Sequence, residues 1–269
     1  MGSEMCIRDS KNLAPDKVPY LGLLKSVLGY VDTAHYTYGE LSNEINAETG
    51  GIACGVEVFD RADSVDEYRA FFGVKGKVMY PKMDVIFRMI REILNTSDVT
   101  DTRRLHEIIS RVKSRAQSSL VSAGHSTAVL RAASYASPMA AFQDGMAGIA
   151  YYQFIEKLDR EFDDRKEEII ENLKSLMVKI LRPENLCISY TGERESLDSV
   201  QKQIRELKKT LHQEVTESSS SEMICQKKNE GFMTSGRTYF FTLIDITLLL
   251  LTFFKIFWSS AVSTSTEYT

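Results

Sequence analysis

Apolar residues recur at three- and four-residue intervals along most of the chain, interrupted in three places by a two-residue alternation. Val18, Leu21, Leu24, Leu28 and Val31 keep helical spacing, with Pro19 at a position suited to a first turn. Tyr38, Leu41 and Ile45 predict a second helix, which Gly50 and Gly51 should stop. Ile52, Cys54, Val56 and Val58 then alternate with other residues as a strand does. A second alternation runs through Tyr68, Ala70, Phe72, Val74, Val78 and Tyr80 until Pro81 ends it.

Helices dominate from there. Val85, Ile86, Met89, Ile90, Ile93 and Leu94 make one apolar face. Leu105, Ile108, Ile109, Val112, Ala116 and Leu120 make another, capped by Thr100 or Asp101. Ser137 and Pro138 form an N-cap and first-turn pair for a helix running toward Tyr151 and Leu158. Ile169, Leu173, Leu176 and Ile180 form a stripe that Arg182-Pro183 terminates. Leu186 to Tyr190 is the third strand, and Leu197, Val200, Ile204, Leu207 and Leu211 mark the last helix. Strands separated by blocks of helices indicate a mixed α/β layer with several helices on one face of a sheet.

Both ends differ from this middle. Residues 1–10 (MGSEMCIRDS) read as an added scar outside the fold. Residues 11–217 read as the domain, and 218–236, opening on four serines, as a linker. Residues 237–269 form an apolar tail whose stretch Tyr239 to Trp258 has the length of a membrane span. Asp245 and Lys255 fall inside it, and an ionised group costs about 2.5–3.5 kcal/mol at a bilayer centre, less near an end. With no basic flank to set an orientation, the tail reads as non-native; a C-terminal transmembrane anchor is the alternative.

A net charge of -4 speaks against nucleic acid as a partner, since phosphate binding calls for a positive excess. Cys6, Cys54, Cys187 and Cys225 are widely spaced with no CxxC pair, and read as reduced thiols. The four histidines, His35, His106, His125 and His212, make no HExxH or HxxEH pair, so no catalytic or metal-ligating set is complete. His125, after Gly124 at a helix junction, reads as a capping or packing residue. A nucleophilic pairing of Cys54 or Cys187 with His125 is disfavoured, because both cysteines occupy strand positions expected to be buried, where thiols are inert. Gly145 and Gly148 lack the strand and the Gly-Lys-Ser/Thr ending of a phosphate loop, and fit close helix packing better. Arg103, Arg104, Arg111, Lys113 and Arg115 read as a solvated helix face. The alternating charges from Glu156 to Glu171 read as an exposed helix laced by weak pairs one turn apart.

Three stretches carry a family resemblance: VPYLGLLKSVLGYVDTAHYTYGELSNEINAETGGI (18–52), SRAQSSLVSAGHSTAVLRAASYASPMAAFQDGMAGIAYYQFIEKL (114–158) and KNEGFMTSG (228–236). On these, the chain resembles the pitrilysin/insulinase superfamily of zinc metalloproteases, in its presequence-protease (falcilysin-like) subfamily C. The likeness covers about residues 11–236 and points to the subfamily's associated domain, the third of four, as a fragment. It implies an α+β fold with helices on one face of a mainly antiparallel sheet.

In such an enzyme the zinc belongs to the first domain, on a helix bearing HxxEH. If Val18-Pro19 marks the equivalent helix start, the ligand slots here are Tyr20, Leu23 and Leu24, which are unsuited to zinc. The resemblance therefore implies no catalytic, cofactor-binding or metal-binding residue in this chain, zinc being a cofactor of the full-length enzyme only. It further implies a non-catalytic fragment lining the chamber of a peptidase that degrades presequence-type and other unstructured peptides. Its partners would be the missing catalytic half and those peptides, in a bacterial cytoplasm, or in a mitochondrial matrix or plastid in a eukaryote. The fourth domain's arginine- and tyrosine-containing stretch has no match after Gly236. The alternative is a catalytically silent, membrane-anchored binding or scaffold protein derived from that family.

Overall fold

The computed structural model describes residues 2–8, 13–61, 64–212, 230–234 and 237–241. Four strands form one antiparallel sheet in the order β2-β3-β1-β4, with β1 Gly2–Arg8, β2 Ile52–Arg61, β3 Ser64–Lys77 and β4 Leu186–Thr191. β2 and β3 are a hairpin whose register runs from Ile52 opposite Gly76 to Asp60 opposite Tyr68. On β3 the alternation sorts the two faces. Tyr68, Ala70, Phe72 and Val74 are buried, while Glu67, Arg69 and Lys77 are exposed. One face is thus covered by helices and the other is open, as antiparallel sheets allow. This is the α+β arrangement that the resemblance implies.

The helices follow from their caps and stripes. Thr37 and Glu40 form a capping box at the start of α2 (Tyr38–Glu48), and Gly51, at φ 103, turns the chain into β2. Asp101 rather than Thr100 caps α4 (Thr102–Ser122), accepting from the Arg104 backbone N–H at 3.0 Å. α1 (Val18–Val27) and α3 (Met83–Thr96) bury their apolar stripes completely at Leu21, Leu24, Val27, Ile86 and Met89. With α8 (Phe162–Ile180) and α9 (Leu197–Thr210) they share one core with β3. A smaller cluster of Leu120, Ile149 and Tyr152 sits between α4 and α7 (Ile149–Arg160).

Several expectations are corrected. Gly2–Arg8 lies in the sheet between β3 and β4, so the segment set outside the fold takes part in its pairing. Its Met5-Cys6-Ile7 run is three apolar residues between Glu4 and Arg8, a strand signal too short to stand out by itself. The helix expected to continue past Leu28 stops at Val27, because Leu28 is extended and Gly29 takes φ 83. The single helix expected from Ser137 toward Leu158 is two, α6 (Pro138–Ala147) and α7, broken at Gly148. A separate helix, α5 (Gly124–Ala133), precedes them. β3 ends at Lys77, three residues before the predicted end.

The KNEGFMTSG stretch contains β5 (Glu230–Thr234), which pairs with β6 (Arg237–Phe241) as a hairpin. The apolar tail therefore opens on a strand. Residues 242–258 of the candidate span, the serine linker and Cys225 lie outside the described residues. Among the described residues, no helix is long and apolar enough to cross a membrane.

Candidate functional site

The place to look first is the start of α1, where the resemblance puts three degenerate ligand slots. The helix presents Tyr20, Leu23 and Leu24 to the interior, at 4%, 0% and 0% exposure. The Tyr20 ring meets Phe154 edge-on at 4.9 Å between centroids. Its hydroxyl donates to Glu168 Oε1 at 2.8 Å on α8. Arg165 holds both oxygens of that carboxylate, Nε and Nη2 each at 2.8 Å. The Arg165 and Tyr20 hydrogen bonds take Glu168 down to about 2, while burial and the Glu168 bond push the Tyr20 hydroxyl up. Next to them Lys17 Nζ donates to Asn172 Oδ1 at 2.7 Å, and Asn172 donates to the Glu168 carbonyl at 2.8 Å. A zinc site needs several converging N, O or S donors with free lone pairs. This face offers a phenol that is already donating and a carboxylate already clamped by arginine. The donor set fits a helix-to-helix tie between α1 and α8, and does not fit zinc.

The second polar cluster closes the elbow of α5, α6 and α7. Arg131 Nη1 lies 2.5 Å from Asp144 Oδ2, with Asp144 1% exposed. The other carboxylate oxygen accepts from the Ile149 backbone N–H at 2.9 Å, capping α7. A Cβ on Gly148 would stand 2.1 Å from Asp144 Oδ1. The glycine is there because the capping carboxylate fills the space, which gives the expected close packing a specific cause.

The remaining candidates are dispersed. His35 Nδ1 lies 3.1 Å from both oxygens of the nearly buried Glu92. Burial works to raise the Glu92 pKa, and hydrogen bonds from Thr33, His35 and Thr96 outweigh it, so the carboxyl stays below its usual range. His106 stacks on Phe162 at 4.4 Å and reaches Asp159 at 3.5 Å. Ser110 and Lys113 also hold Asp159, at 2.5 and 2.7 Å. His125 is exposed and caps nothing, a correction of its capping or packing role. Cys54 is half-buried and desolvation pushes its thiol up to about 12, whereas Cys187 is exposed, against expectation. His212 is engaged through its backbone, which donates to the Leu181 carbonyl. Among the described residues, no three His, Cys, Asp or Glu side chains gather where they could hold a metal ion.

The basic run on α4 is only partly a solvated face. Arg104 lies 3.7 Å over the Tyr38 ring, donates from Nε to the Tyr30 carbonyl and pairs with Glu107. Arg111 lies 4.7 Å over the Tyr30 ring, and Lys113 is committed to Asp159. Arg103 and Arg115 are the exposed members. The charges from Glu156 to Glu171 likewise span a helix break, with Phe162 buried inside them. Apart from the Arg104–Glu107 pair, one helical turn apart, these contacts join residues far apart along the chain and were not legible in the sequence.

The associated domain of metallopeptidase family 16, subfamily C, matches residues 5–158, more than half of the chain. This chain belongs to that family. Protein HypA of Clostridium perfringens is 29% identical over 232 residues, covering 86% of this chain and 24% of that protein. The mitochondrial presequence protease of Yarrowia lipolytica is 28% identical over 171 residues, covering 63% of this chain and 17% of its own length. Presequence protease 1, chloroplastic/mitochondrial, of Arabidopsis thaliana is 25% identical over 199 residues, covering 73% of this chain and 18% of its own length. The chain thus spans about a quarter or less of the curated relatives it matches.

Proposed function

We propose that this chain is a non-catalytic part of a zinc-dependent peptidase that degrades presequence-type and other unstructured peptides. It would line the substrate chamber and act with a catalytic half that carries the zinc. The observation that carries the reading is the α1 face: Tyr20, Leu23 and Leu24, where the resemblance puts the ligand slots, are spent on packing and on the tie to Glu168. Membership of an associated-domain family and likeness to presequence proteases support the substrate class. The compartment follows the source, a bacterial cytoplasm or a mitochondrial matrix or plastid. The relatives named for mitochondria and chloroplasts, beside one from a bacterium, agree with that.

The test is peptidase assay and metal analysis of the purified chain. A quenched fluorescent unstructured peptide should survive incubation with the chain, with or without added zinc, and atomic emission should find no stoichiometric zinc. Turnover that a chelator abolishes would overturn the proposal.

A further inference from the structure

β1 sits between two strands that are far apart in the sequence. It pairs with β3 from Gly2 opposite Lys77 to Arg8 opposite Phe71, and with β4 from Gly2 opposite Thr191 to Ile7 opposite Leu186. Without it, β3 and β4 would face each other across a gap one strand wide, each presenting a row of unpaired main-chain groups. Such a gap is filled by main-chain hydrogen bonds, which do not depend on which residues bring them.

The gap is nonetheless not featureless. Met5 lies in register with Val74 on one side and Ile188 on the other, and Ile7 with Phe72 and Leu186. Val74 and Phe72 are fully buried, and Ile188 and Leu186 pack against the same core. Ser3, two residues before Met5 and so of the same parity, stands opposite Gly76, which is buried against Ile86, while Cys6 stands opposite Gly73. A strand entering here therefore needs apolar residues at two alternate positions and meets a glycine at the one before them.

We propose that the gap between β3 and β4 is a strand-acceptor site for an extended peptide with apolar residues at alternate positions, and that Gly2–Arg8 is a replaceable occupant. The site pairs antiparallel to both neighbours over about seven residues, a length typical of strands. It is independent of the peptidase proposal, because it requires neither zinc nor turnover.

Cys6 lies directly opposite Cys187, and Cys187 is exposed, so oxidation reports occupancy in the full chain. With Cys54 and Cys225 replaced by serine, mild copper-phenanthroline oxidation should join Cys6 to Cys187 within one molecule. A large excess of the synthetic peptide MGSEMCIRDS, added before the oxidant, should divert Cys187 into a mixed disulfide with the peptide, read by mass spectrometry. The same peptide with Met5→Glu and Ile7→Glu keeps its cysteine and should lose the adduct. A chain beginning at Lys11 should regain its thermal transition when the unmodified peptide is supplied.

The proposal falls if Cys6 and Cys187 do not join, which takes β1 out of the gap. It falls equally if they join and no excess of peptide displaces the segment, or if both peptides form the adduct alike. A Cys6–Cys187 link between two molecules would replace the peptide by a second copy as the occupant, and so overturn it too. Because these readouts use the full chain, failure of the shortened chain to fold leaves the proposal testable.

Discussion

The two polar junctions of this domain, α1 with α8 and α5 with α6 and α7, tie helices by opposite means. Tyr20, Glu168 and Arg165 make a network that water reaches, with the Glu168 side chain 49% exposed. Arg131 and Asp144 make theirs in the interior, at 11% and 1% side-chain exposure, and Asp144 also caps a helix. In the first, solvent compensates for any lost partner, so each bond is worth little. In the second little water reaches the pair, and removing Asp144 leaves Arg131 without its carboxylate. The α1 face is thus held mainly by its apolar residues, while the elbow depends on one carboxylate.

The sharpest way to break this contrast is Asp144→Ala, which takes the carboxylate from the buried Arg131 and the cap from Ile149. It should cost about 3–5 kcal/mol in chemical denaturation. Asp144→Asn, which keeps an acceptor for Ile149, should cost less, and equal losses would show that the charge matters and the cap does not. Next comes Gly148→Ala, whose Cβ would meet the Asp144 carboxylate. It should cost about 1–3 kcal/mol by overpacking, read as a lower melting temperature.

At the other junction, Tyr20→Phe keeps the edge contact with Phe154 and removes only the hydroxyl. Its expected cost is about 1 kcal/mol, well below Asp144→Ala in the same assay. The smallest effect is in pH dependence. Glu168 is depressed from 4.5 to about 2, so its contribution is complete above pH 4.5 and is lost as pH falls toward 2. Asp159 and Asp98 are depressed as well and add to the acid limb. Subtracting the acid limb of Glu168→Gln from that of the parent chain isolates the Glu168 share. A Glu168→Gln curve parallel to the parent's between pH 2 and 4.5 would remove the tie from the stability argument.

Legibility in the sequence followed the range of the interactions. The stripe of Tyr38, Leu41 and Ile45, Asp101 before α4 and the alternation of Tyr68, Ala70, Phe72 and Val74 are local signals, and each produced the element expected of it. The Gly148 break was readable in principle, since Asp144 stands four residues before the glycine. Periodicity across Ala141 to Leu158 masked it by continuing through the joint. Tyr20 and Glu168 are 148 residues apart, and nothing near either of them names the other. Tyr20, Leu23 and Leu24 were singled out only through the family resemblance. Their burial, and the commitment of Glu168 to Arg165, needed the packed helices.

The strand order has a consequence for how this chain is made. β1 leaves the ribosome long before one of its two neighbours, since β4 ends at Thr191. At about 5–20 residues per second, synthesis of the intervening chain takes on the order of ten to forty seconds. During that interval the hairpin of β2 and β3 can take β1 on one side only, and the second side waits as an open edge. A nascent chain stalled before residue 186 would therefore expose that edge to chaperones and to neighbouring chains, and one released past Thr191 would not.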